Sequence, residues 1–396
     1  MMRLSLAQRR AKTDTVIMQL VALMFLSSVG RGFTTPYVNL YLDHIGASGA
    51  MIGMIVGVAA LVELFVSPLL NNLADKHNGH RFLLRMQYLS FMAGSLLIAI
   101  TGNLMVVGAV VILIELGKRS AIVLSIQLTL IRLEQMNRDI VGRLRSFNAL
   151  GFSVANMFQS TIFAMFGYVG MFFSGGLFTL ISLWFTRALP AQATTHQRDK
   201  TMAPRQRKFY YMVMIQVFVQ LGAVSGFTFW LIHFKDNLGV RIEDVGIILA
   251  IAAFAEFPFF VLFDSIIRRF DVRMIYAGGA FGLAFIWLAT GIIPSTVWII
   301  PLLIARGFAF SSLNMSTHIL ISRISDPRNV ATNQSLLQVT VPGLATLFGA
   351  PLMGWVYDHY AASIYFGLCM MLMLVGALIM VIMYRFMVPT LIENKA

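Results

Sequence analysis

The chain has 396 residues, of which 58% are hydrophobic and only 12% charged, with 25 Met and 32 Phe and a mean hydropathy of +0.78. A water-facing surface of this size needs roughly twice that charge density, so the composition excludes an ordinary soluble protein and points to a lipid-facing one. The remaining charges are unbalanced, 30 Lys+Arg against 17 Asp+Glu for a formal +13, which raises a polyanionic partner until the charges are placed.

A helix needs about 20 residues to cross ~30 Å of hydrocarbon. Apolar runs of that order predict twelve spans, at 15–42, 49–74, 83–102, 105–131, 146–166, 168–187, 209–234, 243–267, 274–293, 296–322, 331–357 and 362–385. The first follows Arg3, Arg9, Arg10 and Lys12, but it is too long for a signal peptide and lacks a small-residue cleavage site, so it is expected to stay attached. Within it Arg31 lies among Ser27, Ser28, Thr34 and Thr35, and Gly30, Gly32 and Pro36 are expected to open the helix locally toward a cavity. The planar guanidinium suits a carboxylate or phosphate on a ligand, the structural alternative being a pair with Glu63 or Glu115. Span two carries Glu63 over the close-packing pair Ala59–Ala60, and the loop after it holds Asp75, Lys76 and Arg81.

Span four places Glu115, Lys118 and Arg119 at i, i+3 and i+4, so that one carboxylate reaches either cation. This is either a self-neutralising intrahelical pair or a site where Glu115 gives up a proton as an anionic ligand engages Arg119. Span five carries Asn156, Gln159 and Ser160. The longest polar break, 188–208, then reads as a linker between two halves, 1–187 and 209–396. Span seven offers Gln216, Gln220, Phe227, Trp230 and an interfacial His233, and span eight offers Glu256 over Ala252–Ala253. Span ten carries Arg306, Phe310, Asn314 and Thr317 or His318 at helical spacing, and span eleven Gln334 and Gln338. The lone Cys369 in span twelve excludes a disulfide framework and a thiol metal pair.

Placed on these spans, Lys235 and Arg241 are the only basic residues on one side, four lie inside spans, and the remaining 24 of 30 share the side of both termini. The excess therefore encodes a positive-inside orientation with cytoplasmic termini, and the nucleic-acid reading loses its support. Short loops suggest a bacterial inner membrane. No Walker A sequence, His-Glu-x-x-His or Ser-His-Asp arrangement appears, so an enzyme, a cofactor and a metal are all unexpected.

The halves repeat. At an offset of 193, residues 52–64 lie over 245–257, matching Gly53 with Gly246 and Glu63 with Glu256; Gly32 matches Gly226, and at an offset of 190 Gly117 matches Gly307. Six spans per half make the repeat parallel. Twelve spans, a central linker and this repeat resemble the major facilitator superfamily of secondary transporters. So does the loop Asn71-Asn72-Leu73-Ala74-Asp75-Lys76-His77-Asn78-Gly79-His80-Arg81, in which Asp75, Lys76 and Arg81 fit the gating-loop signature while Asn71 replaces its leading glycine. The second copy departs further, with Asp264 at the glycine position and Arg268 at the acid's. Ala255-Glu256-Phe257-Pro258 with Arg268-Arg269-Phe270, and Ala331-Thr332-Asn333-Gln334 after Asp326-Pro327, resemble the oligosaccharide and aromatic-acid proton symporter branch. Span five lacks the glycine-proline motif of drug and sugar antiporters.

The resemblance implies an all-α integral membrane protein of twelve transmembrane helices in two parallel-repeat six-helix bundles, the major facilitator fold. It also implies a central cavity lined by spans one, four, seven and ten, hence by Arg31, the Glu115 cluster and Arg306. Seven ionisable residues lie at mid-span: Arg31, Glu63, Glu115, Lys118, Arg119, Glu256 and Arg306. At ~3 kcal/mol each, exposing all of them to lipid costs roughly 20 kcal/mol, more than the ~5–15 kcal/mol stability of a fold, so they must be paired, hydrated or neutralised. Cations outnumber carboxylates in this set. The expected function is proton-coupled transport of a small organic solute bearing a carboxylate, with Arg31, Lys118, Arg119, Arg306 and Asn314 on substrate and Glu115, Glu63 or Glu256 carrying the proton. The paired glutamates fit equally a structural hydrogen bond in each half. Partners are then the solute, protons and the bilayer, for a monomer. A sugar or nucleoside cargo, a proton-antiporting exporter of drugs or metabolites, a non-transporting sensor or scaffold, and lipid movement between leaflets are the competing readings.

Overall fold

The computed structural model of the chain describes residues 6–136, 141–191, 207–326 and 329–386. These are helical throughout: α1 (Leu6–His44), α2 (Gly49–His77), α3 (His80–Ile100), α4 (Leu104–Gln135), α5 (Val141–Phe185), α6 (Arg207–Leu238), α7 (Ile242–Arg269), α8 (Val272–Ile292), α9 (Ile299–Ile324), α10 (Val330–Ser335), α11 (Val341–His359) and α12 (Ala362–Ile382). Nine helical stretches of the described residues are long and apolar enough to cross a bilayer on composition alone. One of them, Ser146–Ala188, has 43 residues, twice the needed length. It breaks at Gly167, whose φ of 59° and ψ of −151° lie where only glycine is at ease, and so makes two crossings. Two further helices are long enough to cross: α4, which carries Glu115, Lys118 and Arg119 within its apolar run, and α7, whose residues 246–263 are apolar but for Glu256. With both included, the fold has the twelve crossings the sequence predicts.

Two proline effects shape the frame. Proline has no N–H for the carbonyl four residues back, so Pro36 leaves the Gly32 carbonyl without its helical donor. The expected opening of α1 there does not occur, because the helix runs unbroken through Pro36 and the Gln159 amide Nε2 donates to the Gly32 oxygen at 2.5 Å. Gly30 and Gly32 serve close packing instead: a Cβ on Gly30 would meet the Gly175 oxygen at 2.9 Å, and one on Gly32 the Ala155 Cβ at 2.6 Å. At Pro342 the answer differs. The preceding turn, Leu336–Thr340, widens to a π-helix that joins α10 to α11.

The chain forms two compact units, Met1–Val38 with Phe65–Thr195 and Asn39–Leu64 with His196–Ala396. In the first unit α3 packs on α4 and α5; in the second α8 packs on α9 and α12, and α6 on α11 and α12. The contacts of α8 are those of α3 one repeat later. Thr34 meets Ser95 at 3.2 Å, and Gly226 packs against the Trp287 indole; both partners of the second pair follow those of the first by 192 residues, 226 less 34 and 287 less 95. That register revises the sequence matches on these helices. Gly117 lies against Gln87 and Phe91 of α3, whereas Gly307 lies against Ala252 and Ala255 of α7, so the two are not equivalent, and the packing counterpart of Gly117 is Ala309 under Gly279 of α8.

The second unit also holds the hairpin tip Asn39–Leu64. Both carboxylate oxygens of Asp358 accept from the first amides of α2, Gly49 at 2.7 Å and Ala50 at 2.8 Å, where the positive end of the helix dipole favours an anion. Asn39 donates to the Thr228 carbonyl at 3.1 Å, and Lys235 pairs with Asp43.

Candidate functional site

In the first unit Arg31 projects from α1 and its Nη2 donates to Asn148 Oδ1 on α5 at 2.6 Å. Residues 148, 152, 155 and 159 recur at helical spacing, and the last three lie against Gly32, so one face of α5 fixes the height of Arg31. Arg31 also lines a small recess with Ser27, Tyr88, Phe91, Gly117, Lys118, Ala121, Ile122 and Thr179. The expected alternative partners do not take it. Among the described residues Arg31 makes no ion pair, and its one hydrogen bond is to a neutral amide. An amide orients a guanidinium without cancelling its charge, so the fork keeps donors and a full positive charge for an anion.

Lys118, which shares that recess, is paired with Glu115 one turn away on α4, both side chains about 15% exposed. The self-neutralising geometry is thus realised for these two residues. The Arg119 and Asp75 side chains lie outside the described residues. Lys76 is exposed, and Arg81 folds back to donate to the Leu189 carbonyl at 3.2 Å.

In the second unit Arg306 sits 8% exposed on α9. Its guanidinium carbon lies 4.4 Å from the Trp230 ring centroid and 5.4 Å from that of Phe227. Phe227 in turn meets Trp287 and Phe310 edge-to-face at 5.0 and 5.5 Å. Arg306 Nε has no hydrogen-bond partner among the described residues. Glu256 on α7 lies within its field, but no direct salt bridge joins them among the described contacts. A cation–π contact contributes ~0.5–2 kcal/mol, less than the several kcal/mol needed to desolvate the ion. The field of Glu256, or an anion supplied from outside, has to make up the difference.

Asn314, two turns beyond Arg306, is exposed. His318 Nδ1 meets Gln338 Nε2 at 2.8 Å, which brings the α9 stripe to the π-turn. Glu63 is buried at 3% exposure and takes part in a polar interaction. His233 is buried, its Nε2 3.0 Å from the Thr290 carbonyl. No group of His, Cys, Asp or Glu that could hold a metal occurs among the described residues.

Sequence reasoning missed Asn148 and Tyr88. Asn148 was legible in principle, since it stands eight residues before Asn156 and eleven before Gln159, which puts it on their helical face. Tyr88 carried no such signal.

Residues 17–368 match the MFS_1-like family. Among curated proteins, none matches the chain in sequence. In structure it is similar to the nucleoside transporter NupG, with a TM-score of 0.74 at 18% identity over 93% of this chain and 99% of that one. It is also similar to the POT family transporter PepTSo, with a TM-score of 0.75 at 11% identity over 94% and 98%. A third similar structure is the human organic anion transporter MFSD10, with a TM-score of 0.66 at 12% identity over 92% and 98%. At these identities the likeness establishes the fold.

Proposed function

The chain belongs to the MFS_1-like family of major facilitator transporters, a multi-pass membrane protein and not an enzyme, and from that premise we propose that it carries a small organic anion together with protons by alternating access. The observation that carries this reading is a pair of cations at membrane depth that the described residues do not neutralise directly: Arg31 on a neutral amide and Arg306 on aromatic faces with its Nε unpartnered. Each is better stabilised when a carboxylate or another anion visits it for part of the cycle. Lys118, Arg119 and Asn314 complete the proposed substrate contacts, and Glu256, beside Arg306, is the favoured proton carrier over Glu115 and Glu63, because Glu115 is committed to Lys118. The branch-level motifs around Glu256 support symport. In this reading 1–187 and 209–396 are the two moving halves, Asp75, Lys76 and Arg81 belong to the gating loop, and the protein works as a monomer in a bacterial inner membrane.

The test is uptake into proteoliposomes of a panel of radiolabelled carboxylates with an imposed inward proton gradient. Gradient-driven uptake that disappears in Arg31→Ala supports the proposal; uptake indifferent to the gradient refutes proton coupling. A second reading, a ring-bearing neutral solute such as a nucleoside, is favoured by Phe227, Trp230 and Phe310 around Arg306. Competition by nucleosides but not by carboxylates would select it.

A further inference from the structure

We propose that Arg81, Arg85 and Arg187 of the first unit form a binding site for the phosphate of an anionic phospholipid, at the membrane boundary where α3 begins and α5 ends. The three are brought together by the chain's path. Arg81 and Arg85 stand one helical turn apart at the start of α3, and the short helical turn Thr186–Ala188 after α5 crosses them. Arg81 Nη1 donates to the Leu189 carbonyl at 3.2 Å and its backbone N–H to the Ala191 carbonyl at 3.3 Å. Arg85 Nε donates to Thr186 Oγ1 at 2.8 Å. Both guanidiniums are thereby held against the turn that carries Arg187, whose own guanidinium lies 3.8 Å above the Trp184 ring.

A counter-charge is what this cluster lacks. Its partners are two carbonyls, a hydroxyl and an indole, all neutral, and among the described residues no carboxylate pairs with any of the three. Arg85 lies in the fields of both Arg81 and Arg187, so the cluster repels itself until an anion enters. Arginine forks match phosphate oxygens bidentately. The surroundings select a lipid as the source of that phosphate. Trp184 is 62% exposed and Phe82 64% exposed beside the cluster, the aromatic belt expected at the headgroup level of a bilayer. The positive-inside orientation puts the site in the cytoplasmic leaflet, where anionic lipids attract basic side chains.

The experiment titrates the purified full chain in detergent with phosphatidylglycerol, phosphatidylcholine or inorganic phosphate and follows thermal unfolding. Phosphatidylglycerol raises the midpoint and phosphatidylcholine does not. Binding of phosphatidylglycerol weakens about 30-fold in R85Q/R187Q and about fivefold in R187Q, given the usual contribution of each basic residue at an anionic surface. Arg187 is exposed and only stacks on Trp184, so R187Q carries the test by itself if the double variant does not fold. Equal responses to the two lipids, or variants that bind phosphatidylglycerol as the parent does, overturn the proposal. A midpoint rise with inorganic phosphate matching that with phosphatidylglycerol overturns it too, because the site then takes a soluble anion.

Discussion

Arg31 and Arg306 answer one physical problem, a guanidinium at membrane depth, in two ways. In the first unit the cation is held by the hydrogen bond it donates to a neighbouring helix and lines a recess with hydroxyl, phenol and ammonium groups. In the second it is held by ring faces, with an acid in range but not in contact. The units share a packing scheme, yet the repeat does not supply these residues: at the register of 192 set by Thr34–Ser95 and Gly226–Trp287, Arg31 corresponds to Ala223 and Arg306 to Ile114. The repeat therefore accounts for the frame, and the chemistry differs from one half to the other. A polar surround reads a ligand's charge and hydrogen bonds, and an aromatic surround reads charge and a flat face. The two sites should fail differently when altered.

The largest effect is expected from changes that cancel the open charge. Arg31→Ala and Arg306→Ala should each lower uptake about 100-fold, the scale of a charge-assisted contact. Asn148→Asp should match Arg31→Ala without removing the arginine, since it sets a carboxylate where the amide now accepts. If Asn148→Asp transports normally, Arg31 does not serve as an anion site. Lysine separates the two sites. Arg31→Lys keeps the charge and a donor for Asn148 and should retain partial uptake, whereas Arg306→Lys loses the broad guanidinium over the Trp230 ring and should behave as Arg306→Ala. Next in size is Trp230→Leu, expected to weaken the apparent affinity for substrate by about tenfold with insertion unchanged, while Trp230→Phe recovers part of it. Gln159→Leu belongs to the frame. It leaves the Gly32 carbonyl without a donor, so it should cost about 1–3 kcal/mol in stability, seen as a lower unfolding midpoint, with little change in the uptake of the protein that remains folded.

The sequence made the frame legible because length and apolarity are local properties: the spans, the break near Gly167 and the charged positions all follow from counting along the chain. It misled where the outcome depends on a second helix. Pro36 and its glycines announce a broken helix by local rules, but Gln159, more than a hundred residues away, supplies the missing donor. The same limit explains Arg31. Its candidate partners from sequence were the acids, because opposite charges attract, and nothing local shows that an amide on α5 sits closer. The repeat register was blurred for another reason: glycine recurs so often in membrane helices that the matches of Gly117 with Gly307 and of Gly32 with Gly226 look as good as the register of 192, and only contacts such as Gly226 on Trp287 separate them.

The smallest effect predicted is at an ion pair that is closed, which makes it the control for the two that are open. Asp271 precedes α8 and accepts from the Arg273 guanidinium at 2.5 and 2.9 Å, from the Arg273 backbone N–H at 2.8 Å and from the Tyr384 hydroxyl at 3.2 Å. Chiefly because of the Arg273 side chain, its carboxyl is held below the usual aspartate value. A carboxyl whose pKa falls on folding contributes its stability in full above the unfolded value of about 3.9 and loses it as pH drops through the folded one. The unfolding midpoint should therefore not depend on this group between pH 7 and 5 and should decline below about pH 4. Asp271→Asn should lower the midpoint at neutral pH and flatten that decline. Uptake per folded molecule should stay unchanged, because every charge here already has its partner and none is left for a solute; if Asp271→Asn abolishes transport in folded protein, the distinction between open and closed charges fails.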